Sequence, residues 1–270
     1  MADFRIGCSG WSYRQWIGPF YPSDTKPGDF LKLYSKVFNF AEIDSTFYGI
    51  PEQSTVLSWR GSTPANFLFA SKVPQAITHE KMLLDSDREL NSFMSAILNL
   101  GSKLGVVLFQ FPPHFSFEMG FDRLKSAANN LPTDVRFAME FRHQSWFRDE
   151  LYSVLQKKNI TLVWSEIAVV KTPPFLSSSD VYLRLVGDRS ISERDFGKIR
   201  RDRGSEIERW SNRILEEKYN LDHVFSAANN HFAGFAPETV NQLLKGLGLM
   251  PVDWRAAMNR PGSGRQGTLF

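Results

Sequence analysis

Val135 to Phe147 read VRFAMEFRHQSWF, a stretch that starts as a strand and ends as the beginning of a helix. Alternate side chains of a strand share a face. Ala138, Glu140 and Arg142 therefore fall together, and Phe137, Met139 and Phe141 fall on the other side. A carboxylate and a guanidinium on one face at a strand end are costly unless they are paired or used. The same plan, an apolar run ending in polar residues and followed by a helical period, recurs in both directions from here.

Upstream, LGVVLFQFPP (104–113) is nearly continuous in apolar character, which predicts a strand buried on both faces. Before it lie strands at 4–9, 40–47 and 67–74, with helices at 28–38, 52–62 and 86–99. Ser62, Thr63 and Pro64 stop the second of these helices. A helix near 118–131 leads into the central stretch. Downstream come a helix at 145–158, strands at 161–167, 180–187 and 223–230, and helices at 204–218 and 236–247. The connection from Ala168 to Ser179 contains Pro173 and Pro174 and shows no helix.

Strands alternating with helices argue for a parallel sheet, because parallel neighbours need crossover connections. Eight such strands close a barrel, and a barrel of this kind uses about 250 residues. The expected fold is α/β, a single parallel (β/α)8 TIM-like barrel over residues 1–250, with a flexible C-terminal tail over 251–270. A doubly wound open sheet is the alternative, but GCSGWSY after the first strand lacks a Gly-rich phosphate fingerprint.

Composition narrows the class. The 42% hydrophobic content supports a sizeable core, and 23 Phe residues suit aromatic packing between layers. A net charge of +3 does not mark a nucleic-acid binder. A single cysteine, Cys8, rules out an internal disulfide and suits a reducing compartment. MADFRIGCSG lacks a signal pattern, and no run approaches the roughly 18 apolar residues of a membrane span. A cytoplasmic protein with no membrane partner is expected.

Several unusual stretches carry a family resemblance: GCSGWSY (7–13), EIDSTFYGIP (42–51), KVPQAITHE (72–80), FQFPP (109–113), EFRHQSWF (140–147) and AANNHFAGFAP (227–237). Spread over nearly the whole domain, they resemble the YecE-like family, domain of unknown function 72. The resemblance implies a TIM-barrel-like fold and supplies no activity. One departure stands out: relatives often resemble RLHG after the seventh strand, whereas this chain reads RLVGD, with Val186 at the His position.

Sites in such barrels sit at the carboxyl ends of the strands. Polar residues gathered there are Ser9, Glu42, Asp44, Lys72, Gln110, Glu140, Arg142, Ser165, Glu166, Arg184, Asn229 and Asn230, with His79, His143 and His231 just beyond. Glu42 with Asp44, and Glu140 with Arg142, suit an acid/base pair with a cationic clamp, or else a buried ion network fixing the barrel interior. Glu140, Glu42, Asp44 and Lys72 are the catalytic candidates, with Glu140 as general base. Arg142 and Arg184 are the anion binders, and Trp11, Gln110, His79, Asn229, Asn230 and His231 are the further ligand contacts. Lys72 is equally an ion-pair partner, and Cys8 is a buried inert thiol. The loop aromatics Tyr13, Trp16, Phe20 and Tyr21 are packing. HEKML at 79–83 lacks the zinc pattern H-E-x-x-H, so no metal is assigned, and the cofactor is left open.

Two features point elsewhere. RDFGKIRRDR (194–203) gives the mouth a basic edge that could attract phosphate or a nucleic-acid backbone. At the end of the chain, Gln266, Leu269 and Phe270 resemble the peptide by which bacterial DNA-processing enzymes dock on the sliding clamp, although Gly267 departs from its consensus. Three functions follow: an enzyme, hydrolase or isomerase, acting by acid/base chemistry on a small anionic or phosphorylated ligand; a DNA-associated factor recruited to the clamp; or a non-catalytic binding barrel.

Overall fold

The computed structural model describes residues 2–259. Eight strands close a parallel barrel: β1 (Asp3–Ser9), β2 (Phe40–Ile43), β3 (Leu68–Lys72), β4 (Leu104–Gln110), β5 (Phe137–Glu140), β6 (Thr161–Ile167), β8 (Asp180–Gly187) and β9 (His223–Ala228). Their order is β5-β4-β3-β2-β1-β9-β8-β6, and a β5–β6 pairing seals the ring. The extra strand, β7 (Val170–Lys171), folds back antiparallel on β6. It occupies the connection that the sequence left without a helix. There Ser177 accepts from the Leu162 amide and donates to the Ile160 carbonyl, both at 2.7 Å, so side chains satisfy the backbone in place of a crossover helix.

Around the ring run α1 (Phe30–Tyr34), α2 (Gln53–Gly61), α3 (Asp87–Ile97), α4 (Phe117–Asn130), α5 (Asp149–Lys157), α6 (Gly204–Glu217), α7 (Asn230–Ala233), α8 (Ala236–Gly246) and α9 (Trp254–Asn259). Local chemistry sets their ends. Ser116 caps α4 by accepting from the Met119 amide. Lys103 donates to the Arg60 and Thr63 carbonyls, both at 2.6 Å, answering orphan acceptors at the end of α2. Gly187 ends β8 at φ +77°, where a Cβ would stand 2.4 Å from the His231 carbonyl oxygen, so only glycine lets the strand turn beneath α7.

Three expected elements differ. The helix at 28–38 shrinks to a 3-10 turn, Pro27–Asp29, and the short α1. The strand at 40–47 stops at Ile43, because Thr46 donates to the Ile43 and Lys72 carbonyls at 3.0 and 2.7 Å and pulls the chain into a 3-10 turn, Ser45–Phe47. Asp44 consequently leaves the sheet and does not share a strand face with Glu42. Beyond residue 250, α9 is helical and docked: the Trp254 indole donates to the Pro19 carbonyl at 3.1 Å and packs on Phe20 and Phe235. The docking residues Gln266, Leu269 and Phe270 lie outside the described residues.

Alternation along the strands sorts the core. Phe137, Met139 and Phe141 face the helices, as expected, together with Ile6, Cys8 and Phe109. Inside the ring, Phe40, Ala70, Val106, Leu108, Ala138, Val163, Tyr182, Phe225 and Ala227 form a separate apolar plug. Above that plug, towards the strand carboxyl ends, the interior turns polar.

Candidate functional site

One step further along the inner faces stand Glu42 on β2, Lys72 on β3, Gln110 on β4, Glu140 on β5, Ser165 on β6 and Arg184 on β8. All are buried, and both glutamates are fully so. Arg184 organises them. Its Nε and Nη2 donate to the two Glu42 carboxylate oxygens at 2.8 and 2.6 Å. Its Nη1 donates to Glu140 and, at 3.3 Å, to the Gln110 carbonyl oxygen. Glu42 also accepts from Tyr182 and, at 2.9 Å, from Ser9. Glu140 accepts at its other oxygen from Arg142 Nε, at 2.6 Å.

This packing decides protonation. Burial works to raise the Glu140 carboxyl, but the charges and hydrogen bonds of Arg142 and Arg184 outweigh it and bring it down to about 2. Burial likewise opposes Glu42, and Arg184, with Lys72 and Tyr182, again prevails, so its pKa is lowered. Both carboxylates are ionised; Glu42 accepts four hydrogen bonds and Glu140 two, one at each oxygen. Glu140 and Glu42, expected as catalytic groups, therefore serve beneath the floor of the site, where a carboxylate that holds its proton so weakly is a poor general base.

Over this floor opens a recess of about 690 Å³, lined by the ends of β3, β4 and β8 and by the loops after β1, β2, β3, β5, β8 and β9. Of the sequence candidates it gathers Asp44, Lys72, His79, Gln110, Arg142, Arg184, Asn229 and His231. Lys72 stands 3.5 Å from Asp44 and 4.3 Å from the centre of the Phe47 ring. Burial lowers the lysine, more than Asp44 restores it. Asp44 is 30% exposed, yet burial, with Glu42 beside it, raises its carboxyl in spite of Lys72. His79 is held down to about 4 by burial, then by Arg142 and Lys72, so it is neutral near pH 7. His231 Nδ1 lies 2.9 Å from the Ile191 carbonyl, an acceptor only, so Nδ1 carries a proton and donates there.

Other candidates fall outside the recess. Trp11 packs edge-on against Trp59 and Phe69, with ring centres 6.1 and 5.9 Å away, and is held by apolar packing rather than aimed at a ligand. Asn230 is buried, its side-chain oxygen accepting from the Trp16 indole at 3.1 Å and the Ala236 amide at 3.0 Å, so it ties loop to helix. Cys8 faces the helices, and burial pushes its thiol well up. Glu166 is taken by Arg209 and the Trp210 indole, and His143 caps a 3-10 turn. The basic run 194–203 is largely neutralised on site: Arg200 pairs with Asp195, Arg201 with Asp188 at 2.6 Å and Arg203 with Glu206 at 2.7 Å. Arg194 and Lys198, both exposed, make no ion pair among the described residues, so two of the run's five cations keep their charge unpaired.

The structure adds Tyr13, Phe47, Tyr48, Gln75, Arg189, Glu193 and Phe196 to the lining, and Val186 stands among them. None of these was singled out as a site residue from the sequence; Gln75 sits at the start of a short π-helix, Ala76–Glu80, that the sequence reading did not expect. The others depend on loop paths that no periodicity encodes. Among the described residues no cluster of three or more His, Cys, Asp or Glu is placed to hold a metal ion, and no helix is long and apolar enough to cross a membrane.

Residues 5–261 match the family described as protein of unknown function DUF72. UPF0759 protein YunF of Bacillus subtilis (strain 168) is 26% identical over 265 residues, which cover 89% of this chain and 93% of YunF. UPF0759 protein YecE of Escherichia coli (strain K12) is 28% identical over 142 residues, 53% of this chain and 49% of YecE. The crystal structure of a DUF72 family protein from Thermotoga maritima MSB8 aligns with a TM-score of 0.78 and 27% identity, over 91% of this chain and 99% of that one. Another from Enterococcus faecalis V583, at 22% identity, shares the fold with a TM-score of 0.73 over 92% of this chain and 99% of its own. A match that begins in the first strand and runs past the last helix leads to one conclusion: the chain belongs to the DUF72 family of proteins of unknown function.

Proposed function

We propose that the recess binds a small anionic ligand of the phosphate-ester class and performs acid/base chemistry on it, of the hydrolase or isomerase kind. The observation that carries this reading is the posture of Arg142. Its Nε is tied to the buried Glu140, while neither terminal nitrogen has a protein partner among the described residues. The side chain is only 12% exposed and lines the recess. A guanidinium anchored at one end and open at the other is an ordered fork for a phosphate or carboxylate.

Asp44 and Lys72 supply the acid/base pair. Their environment drives the carboxyl up and the ammonium down, towards each other, the direction of change that suits a proton donor and acceptor in one site. Gln110, Asn229 and His231 offer further hydrogen bonds around them. Glu42 and Glu140 act as positioning residues, holding Arg184 and Arg142.

The test is calorimetric titration of the full chain with a panel of phosphate monoesters, followed by turnover assays on those that bind. Saturable binding should weaken at least about tenfold in Arg142→Gln, and turnover should vanish in Asp44→Asn with binding retained. A panel without any binder, or binding indifferent to Arg142→Gln, overturns the reading. Binding with no turnover of any ligand would leave a non-catalytic binding barrel.

A further inference from the structure

We infer that Arg189 is a second anion-binding residue of the recess, so that the ligand carries two anionic groups, one on Arg142 and one on Arg189. This rests on the reading of the recess as an anion site.

Charge balance is the first argument. Lys72 faces Asp44, Arg142 faces Glu140, and Arg184 is shared by Glu42 and Glu140. Each of these cations has a carboxylate of its own, so the recess as described offers donors to an anion but little surplus charge. Arg189 differs: it lines the recess and makes no ion pair or side-chain hydrogen bond among the described residues. Its neighbours Arg200, Arg201 and Arg203 are all paired. Glu193, the remaining carboxylate of the lining, is not within ion-pair distance of it. A second negative charge on a ligand has one lining cation that no protein carboxylate already balances.

Backbone geometry is the second argument. Arg189 sits at φ +61°, a region that non-glycine residues rarely occupy. A local clasp keeps it there. Asp188 accepts from the Ser190 amide at 3.0 Å and from the Ser190 hydroxyl at 2.6 Å through one oxygen. Through the other it accepts from Arg201 at 2.6 Å, and Arg201 also donates to the Ser190 hydroxyl. The residues on either side of Arg189 are thus bound to each other and to a third. Relaxing the turn would break that set. Uncommon backbone over-determined by surrounding hydrogen bonds clusters at functional sites, and the residue held in it here is the unpaired cation. At about 690 Å³ the recess has room for a body between two charged groups.

The experiment titrates the full chain with a hexose 6-phosphate and with the matching hexose 1,6-bisphosphate, and soaks crystals of the protein in inorganic phosphate. The bisphosphate should bind at least about tenfold tighter, and the crystals should show two phosphate ions, one on each arginine. Arg189→Gln should erase the difference and the second ion while leaving the melting temperature unchanged, because the side chain is exposed. Asp188→Asn should narrow the gap with Arg189 still present, which marks Asp188 as a positioning residue. Equal affinity of the two esters, or a gap that survives Arg189→Gln, overturns the second arm and leaves the single-anion reading standing. Failure of both esters, with no phosphate on either arginine, brings down both readings.

Discussion

Two layers of the barrel interior are separated by a single step along the same strands, and they are held together by different physics. The lower layer is Phe40, Phe225, Val106, Leu108 and Val163, with the ring of Tyr182. The upper layer is Glu42, Glu140 and Arg184. Shape alone governs the lower one, so a smaller apolar side chain removes contacts but leaves nothing unsatisfied. In the upper layer each charge is neutralised by its neighbours in a place water does not reach. Removing one strands the others, and the cost then exceeds whatever the ion pair itself contributed. Tyr182 joins the layers, its ring below and its hydroxyl on Glu42.

The sharpest way to break this contrast is Arg184→Met. It keeps an unbranched apolar stem but takes the guanidinium from two buried carboxylates, and it should cost about 3–5 kcal/mol in urea-induced unfolding. A loss below about 1 kcal/mol would mean that water already reaches the upper layer.

Acid should reveal the same layer without mutation. The folded-state pKa of Glu140, about 2, lies below its ordinary 4.5. The unfolded chain therefore binds more protons across that window, and stability falls as pH drops from about 4.5 to about 2. Roughly 3 kcal/mol should be lost from this group, and the acid limb should flatten in Glu140→Gln. A limb of the same steepness in that variant would place the titration on other carboxylates.

The smallest effect belongs to the lower layer. Phe225→Leu is a swap between apolar side chains in a site where nothing polar depends on the ring, and it should cost no more than about 1.5 kcal/mol, without an added acid limb. A larger loss would show that the plug carries the floor above it and is not separate from it.

How far these layers could be read in advance is instructive. FAMEFR already separates Ala138 and Glu140 from Phe137, Met139 and Phe141, because the strand repeat of two leaves no freedom once both faces are buried. Lys72 above Ala70 is readable for the same reason. Asp44 was not, since a hydroxyl three places after Ile43 ends the strand, and that depends on Thr46 finding the Lys72 carbonyl on the next strand. Trp11 and Asn230 looked like ligand contacts because they follow strand ends. Their partners, Trp59, Phe69 and Trp16, come from elsewhere in the chain and claim them for packing.

What the sequence determined by itself was the ring: eight apolar runs alternating with helical periods, and the polar residue at the end of each run that would face inward. Those are local properties, written in spacing. What the tertiary structure decided was the use of each charge. Glu42, Glu140 and Arg184 come from strands far apart in the chain, and only closure of the barrel brings them within hydrogen-bond reach and away from water. That closure ties the expected general base to Arg142 and Arg184 and leaves Asp44, Lys72 and the open end of Arg142 facing the recess, because protonation and pairing depend on burial and on neighbours in space, which no linear pattern records.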